Sequence, residues 1–78
     1  MDFIEVFAQR IKHLRESRGL GVRQLADELG ISHSAISHYE NKKRTPDVTI
    51  CKLYAQYFGV TMDYLVGLED YSTKKEKK

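Results

Sequence analysis

At 78 residues the chain has room for one small domain; a domain of that size buries only about 60% of its unfolded surface, which excludes a large internal substrate pocket. No apolar run approaches the length of a membrane helix, no signal-peptide pattern is present, and Cys51 stands alone, so no intramolecular disulfide can form. The formal charge is +2, but residues 72–78 carry four Lys and one Glu, so the remainder sums to −1, nine Lys and Arg against ten Asp and Glu; a globally basic nucleic-acid binder is excluded.

In chain order, Asp2 with Glu5 three residues on reads as an N-terminal cap. Phe3, Phe7, Ile11 and Leu14 recur at helical spacing, widened by Ile4 and Val6, and predict a first helix to about Arg18 that Gly19 ends. Leu20 follows as a core anchor. Gly21 holds the cap position of a second helix, whose Leu25, Ala26 and Leu29 share one face. Gly30 stops that helix in a left-handed turn. Ser32 caps a third helix, with Ile31 and Ile36 at staple spacing across the cap. Ala35, Ile36 and Tyr39 form its inner face, which leaves Ser32, His33, Ser34, Ser37 and His38 outside. Residues 42–46 make a basic loop that Pro46 closes. Asp47 then caps a fourth helix with an inner stripe of Val48, Cys51, Tyr54, Ala55 and Phe58, ended by Gly59. Thr61 caps a fifth, with Val60 and Leu65 at staple spacing. The expected fold is all-α and five-helical, a domain over residues 1–70 followed by a flexible Lys-rich tail, 71–78.

The third helix presents Ser and His on its outer face where a solvated helix presents Glu and Lys, which reads as a recognition surface. Lys42, Lys43 and Arg44 follow it, and Arg23 opens the second helix; acids gather at Asp27-Glu28 and at Asp63, Glu69 and Asp70. From composition alone a merely solvated face is equally open. Metal binding and catalysis find no support. His33 and His38 lie five residues apart, about 140° around a helix, so they do not converge on one ion. No glycine-rich phosphate loop and no nucleophile–base spacing occurs. Neither a cofactor nor a catalytic residue is therefore expected, and the chain is not read as an enzyme.

The pattern Leu25-Ala26, Leu29-Gly30-Ile31-Ser32, Ile36-Ser37, Tyr39-Glu40-Asn41, Pro46, Ala55, Phe58-Gly59-Val60-Thr61 and Leu65 resembles the helix-turn-helix of the Cro/phage-repressor (XRE-like, lambda-repressor-like) family over about residues 10–66. No single element is specific; their order and spacing carry the resemblance. It implies a compact five-helix fold with the helix-turn-helix in helices 2 and 3. It also implies a sequence-specific double-stranded DNA-binding transcription regulator, with repression the expected outcome. The third helix would enter the major groove of a pseudo-palindromic operator. Ser32, His33, Ser34, Ser37 and His38 would then face the bases. Arg23, the amides near Val22, Asn41, Lys42, Lys43 and Arg44 would hold phosphates. Arg15 on the first helix would pair with Glu40. The family usually has Ser or Thr followed by Gln where Gly21 and Val22 stand, and Val cannot clamp a phosphate as that Gln does; the helix start and Arg23 are left to supply the contact. No Arg, Gln or Asn in the base-facing set can make a two-point base contact, so direct readout is expected to be modest and assisted by DNA shape.

Family members usually bind as dimers. Met62, Tyr64, Val66, Leu68 and Tyr71 lie beyond the expected core and would suit a two-fold homodimer interface. Two rival readings share the fold: an antitoxin whose main ligand is a protein partner, and an interaction module that has lost DNA binding. The expected location is the cytoplasm of a bacterium, with a bacterial or phage gene. Imidazoles change charge near neutral pH, so with His33 and His38 on the reading face duplex affinity is expected to rise as pH falls towards 6. Titrations at pH 8 and pH 6 at fixed salt check this, and equal affinities would contradict it.

Overall fold

The computed structural model describes residues 2–68. The expected boundary at residue 70, the Lys-rich tail and Tyr71 lie outside the described residues. Five helices follow in order: α1 (Phe3–Ser17), α2 (Val22–Leu29), α3 (His33–Glu40), α4 (Val48–Phe58) and α5 (Met62–Val66). No strand occurs among the described residues, so the all-α, five-helix expectation holds.

Side-chain caps start three of the helices. Ser32 Oγ accepts from the Ala35 N–H at 3.1 Å, Asp47 Oδ1 from Ile50 at 2.9 Å and Thr61 Oγ1 from Tyr64 at 3.0 Å. Asp2 is a correction: it occupies the cap position of α1, but its side chain makes no capping bond. Its backbone carbonyl alone receives Val6 N–H, at 3.1 Å, and the exposed carboxylate is left to water.

The core is one cluster centred on Phe7. Its ring meets Tyr39 of α3 at 6.2 Å and Tyr54 of α4 at 5.7 Å, both edge-on. Ile11, Leu25, Ile36 and Leu65 join it fully buried. Helix α1 packs on α3 and α5, α2 on α3 and α4, and α4 on α5. Two residues expected in the stripes lie elsewhere: Phe3 is 38% exposed and Val48 71% exposed. Each stands in the first turn of its helix and lines an open groove with Met62 and Val66 of α5 in place of entering the core. Tyr64, expected on an outer surface, is instead buried at 8% exposure, with the Arg10 guanidinium 4.4 Å from its ring centroid. Cys51 is buried, and that burial, with Asp47 nearby, pushes its thiol pKa up.

Three arginines, Arg10 and Arg15 on α1 and Arg18 just after it, tie the helices together. Arg10 donates to the Tyr64 carbonyl of α5. Arg18 donates to the Phe58 carbonyl at the end of α4, 3.2 Å away, and lies over the Phe58 ring. Arg15 is the most constrained. Its Nε and Nη2 reach the two oxygens of Glu40 at 2.7 and 2.9 Å, and its Nη1 donates to the Leu20 carbonyl at 2.9 Å. The Arg15 side chain is 11% exposed and that of Glu40 7%. Hydrogen bonding to Glu40 raises the Arg15 pKa above its ordinary value, against the opposing pull of burial. One side chain thus fixes the α1–α2 turn and the end of α3 together.

Two stability measurements follow. Glu40→Ala strips the buried Arg15 of its two-point partner and leaves it only the exposed Glu16 carboxylate at 3.9 Å, so it lowers unfolding free energy by about 3 kcal/mol in urea melts; a loss under about 1 kcal/mol would mean that Glu16 or water takes over the pair. Tyr54 is fully buried and its hydroxyl has no hydrogen-bond partner among the described residues. Tyr54→Phe therefore raises stability by about 1 kcal/mol, and an equal loss would show that the hydroxyl is satisfied in solution.

Candidate nucleic-acid interface

The turn between α2 and α3 is short and closed by its own hydrogen bonds. Gly30 takes φ 75°, and the Ile31 N–H reaches back to the Ala26 carbonyl at 3.1 Å. Ile31 packs half-buried on the core while Ser32 caps α3. Buried Ala35, Ile36 and Tyr39 then seat α3 on its inner side. Ser32, His33, Ser34 and His38 are exposed and Ser37 is half-buried. The Ser32 oxygen is engaged in the cap, so its hydroxyl proton remains for an outside acceptor.

At the start of α2, Gly21 has an extended backbone (φ −76°, ψ 165°) and no side-chain cap. The first amides of α2, at Val22, Arg23 and Gln24, are therefore without a capping acceptor and carry the positive end of the helix dipole. Val22 packs its side chain on the core, so only its backbone faces outward; Arg23 is exposed.

Beyond α3, Asn41, Lys42, Lys43 and Arg44 are all exposed. Asn41 turns back on its own helix, donating from Nδ2 to the Ser37 carbonyl at 2.8 Å. That commits one of its two amide protons. The Arg44 guanidinium stands 5.8 Å from the Tyr39 ring centroid. Each of the five helices ends with a left-handed residue and an N–H that reaches back across the last turn. At four of them the left-handed residue is glycine; after α3 it is Lys42, at φ 63°. The Lys43 N–H closes that turn on the His38 carbonyl at 2.8 Å. A lysine there is strained, since its Cβ crowds the backbone. The signal was present in the sequence: no glycine follows the third helix.

The outer face of α3, the uncapped α2 start and the basic rim after α3 belong to two helices and the loop behind them, which the Arg15–Glu40 pair and the core hold in a fixed relation. Among the described residues no group of His, Cys, Asp or Glu could hold a metal ion, and no helix is long and apolar enough to cross a membrane. Such an arrangement of paired short helices defines a helix-turn-helix unit.

Comparison with known proteins agrees. A family profile described as helix-turn-helix matches residues 11–65. An HTH-type transcriptional regulator of Bacillus subtilis, YobD, is 32% identical over 94% of this chain and 66% of its own. The regulator ImmR of the same organism is 31% identical over 87% of this chain and 54% of its own. The immunity repressor protein of Bacillus phage phi105 is 30% identical over 88% of this chain and 54% of its own. The chain thus spans between half and two thirds of the length of these relatives. Among solved structures, a hypothetical transcription factor from Neisseria superposes with TM-score 0.79 at 19% identity, covering 99% of this chain and 86% of its own. The restriction-modification controller protein C.AhdI from Aeromonas hydrophila gives 0.72 at 24% identity, covering 80% and 94%. The chain belongs to the helix-turn-helix family of DNA-binding transcription regulators.

If Lys42 is strained, relieving it stabilises the fold. Lys42→Gly raises unfolding free energy by about 0.5–1 kcal/mol, strain relief outweighing the added chain entropy of glycine; a destabilised variant would contradict the left-handed assignment.

Proposed function

We propose that the chain binds a pseudo-palindromic operator in double-stranded DNA as a homodimer, acting as a repressor in the bacterial cytoplasm. The single observation that carries the reading is the outer face of α3, where Ser32, His33, Ser34 and His38 are exposed and Ser37 is half-buried while Ala35, Ile36 and Tyr39 on the opposite face are locked into the core. Helix α3 enters the major groove, and those side chains approach base edges. The short serines demand close approach or a bridging water, so base discrimination is modest and DNA shape contributes. The α2 amides at Val22 with Arg23, and the rim of Asn41, Lys42, Lys43 and Arg44, hold phosphates and set register. The name of the phage relative, an immunity repressor protein, supports repression.

Dimerisation is assigned to the face where α5 meets α4. Leu68 is 76% exposed, Met62 and Val66 are half-buried, and both line an apolar groove with Phe3, Pro46, Val48 and Cys51. Val48 and Phe3 extend the surface that the sequence suggested. A two-fold axis there sets reading helices against half-sites about 34 Å apart. A regulatory protein partner as main ligand, as in an antitoxin, is the rival reading. It draws support from Val22, whose side chain is turned to the core, and from the −1 charge of the body outside residues 72–78.

Selection from a random duplex pool tests the proposal. A recovered palindrome is expected, with altered base preference for Ser34→Ala and His38→Ala and uniform weakening for Lys43→Ala. No enriched sequence and no salt-dependent binding would remove DNA as the ligand.

A further inference from the structure

Helix α1 and the residue that follows it carry four long cationic side chains, Arg10, Lys12, Arg15 and Arg18. The three arginines each donate to a carbonyl of another element. Lys12 does not: it is exposed, and no hydrogen bond or ion pair engages it among the described residues. It lies on an open groove of about 410 Å³, formed with Glu5, Ala8 and Gln9 on α1 and with Glu40 and Lys42 at the end of α3. Lys42 is the residue that keeps its side chain where the other four helices end in glycine.

We infer that this groove binds a phosphate of the DNA backbone, with Lys12 and Lys42 as its two cations, so that phosphate contact extends from the loop after α3 onto α1. The inference rests on the DNA-binding reading above. Each ammonium offers three donors and no fixed plane, which suits a phosphate approached from one side. Gln9, one turn before Lys12, adds an amide donor. Two carboxylates line the groove as well. Glu40 has both oxygens occupied by Arg15, at 2.7 and 2.9 Å, so its charge is balanced within the protein. Glu5 stands seven residues before Lys12, about 10 Å along the helix axis. Its charge repels an anion at that end and leaves the Lys12 end of the groove for the phosphate.

The test is the salt dependence of binding to a short random-sequence duplex, since a phosphate contact ignores base sequence. Wild type is compared with Lys12→Gln, Lys12→Arg, Glu5→Gln, Lys43→Gln and Lys52→Gln; Lys52 is an exposed cation on α4 that does not line the groove. Lys12→Gln is expected to lower the slope of log affinity against log salt by about 0.9, so its deficit relative to wild type shrinks roughly three-fold between 50 and 200 mM. Lys12→Arg restores the slope, Glu5→Gln strengthens binding roughly two-fold by removing a like charge, and Lys52→Gln leaves the slope unchanged. A wild-type slope in Lys12→Gln beside a reduced slope in Lys43→Gln would overturn the groove and leave the DNA-binding reading intact. Equal losses in Lys12→Gln and Lys52→Gln would overturn it too, as an effect of bulk charge. Absence of salt-dependent binding in wild type would overturn both.

Discussion

Arg15 and Glu40 are the constraint on which the rest of the structure depends. One guanidinium closes on both carboxylate oxygens at the end of α3 and on the backbone carbonyl of Leu20 before α2. The helix-turn-helix is thereby held at both ends by α1, while Phe7 supports it from beneath through Tyr39. Ion pairs this shielded add little net stability compared with apolar packing, but removing one partner leaves a charge that the interior cannot solvate. The pair therefore acts chiefly as a fixture. In the proposed role, an outer face of short serines and imidazoles would read bases only if its helix is delivered at a set depth and angle, because such side chains cannot stretch to correct an error.

The basic rim shows the opposite use of free energy. Four helix ends adopt the left-handed turn with glycine, and the end of α3 adopts it with Lys42. A side chain there carries conformational strain, and strain of this kind persists where surrounding structure over-determines the backbone. The same segment uses Asn41 to cap Ser37 and the Lys43 amide to close on His38, so the backbone of the rim is ordered before any ligand arrives. Preordering of this sort lowers the entropic cost of binding.

Much of this was legible in the sequence. The five helices were legible, because glycine, Ser32, Asp47 and Thr61 punctuate the chain where the apolar period breaks. The inner face of α3 and the outward serines and histidines follow from spacing alone. What spacing could not tell is how far each stripe reaches. Phe3 and Val48 fit their helical periods, yet stand in first turns on the rim of an open groove, outside the core. Tyr64 looked surplus to the core and is buried, because Arg10 on α1 covers its ring, a contact across 54 positions of sequence that no local pattern encodes. The groove between Lys12 and Lys42 is of the same kind, since it exists only once α1 is laid beside the end of α3.

The measurement that tests the central account most directly is an amide chemical-shift titration of the labelled protein with a duplex. The account predicts that the largest changes fall on residues 22–24 at the start of α2, on 32–38 of the reading helix and on 41–44 of the rim, with the far face near Val48 and Met62 unaffected by the DNA itself. Changes centred on that far face, or none at saturating duplex, would contradict the assignment of α3 as the helix that reads DNA.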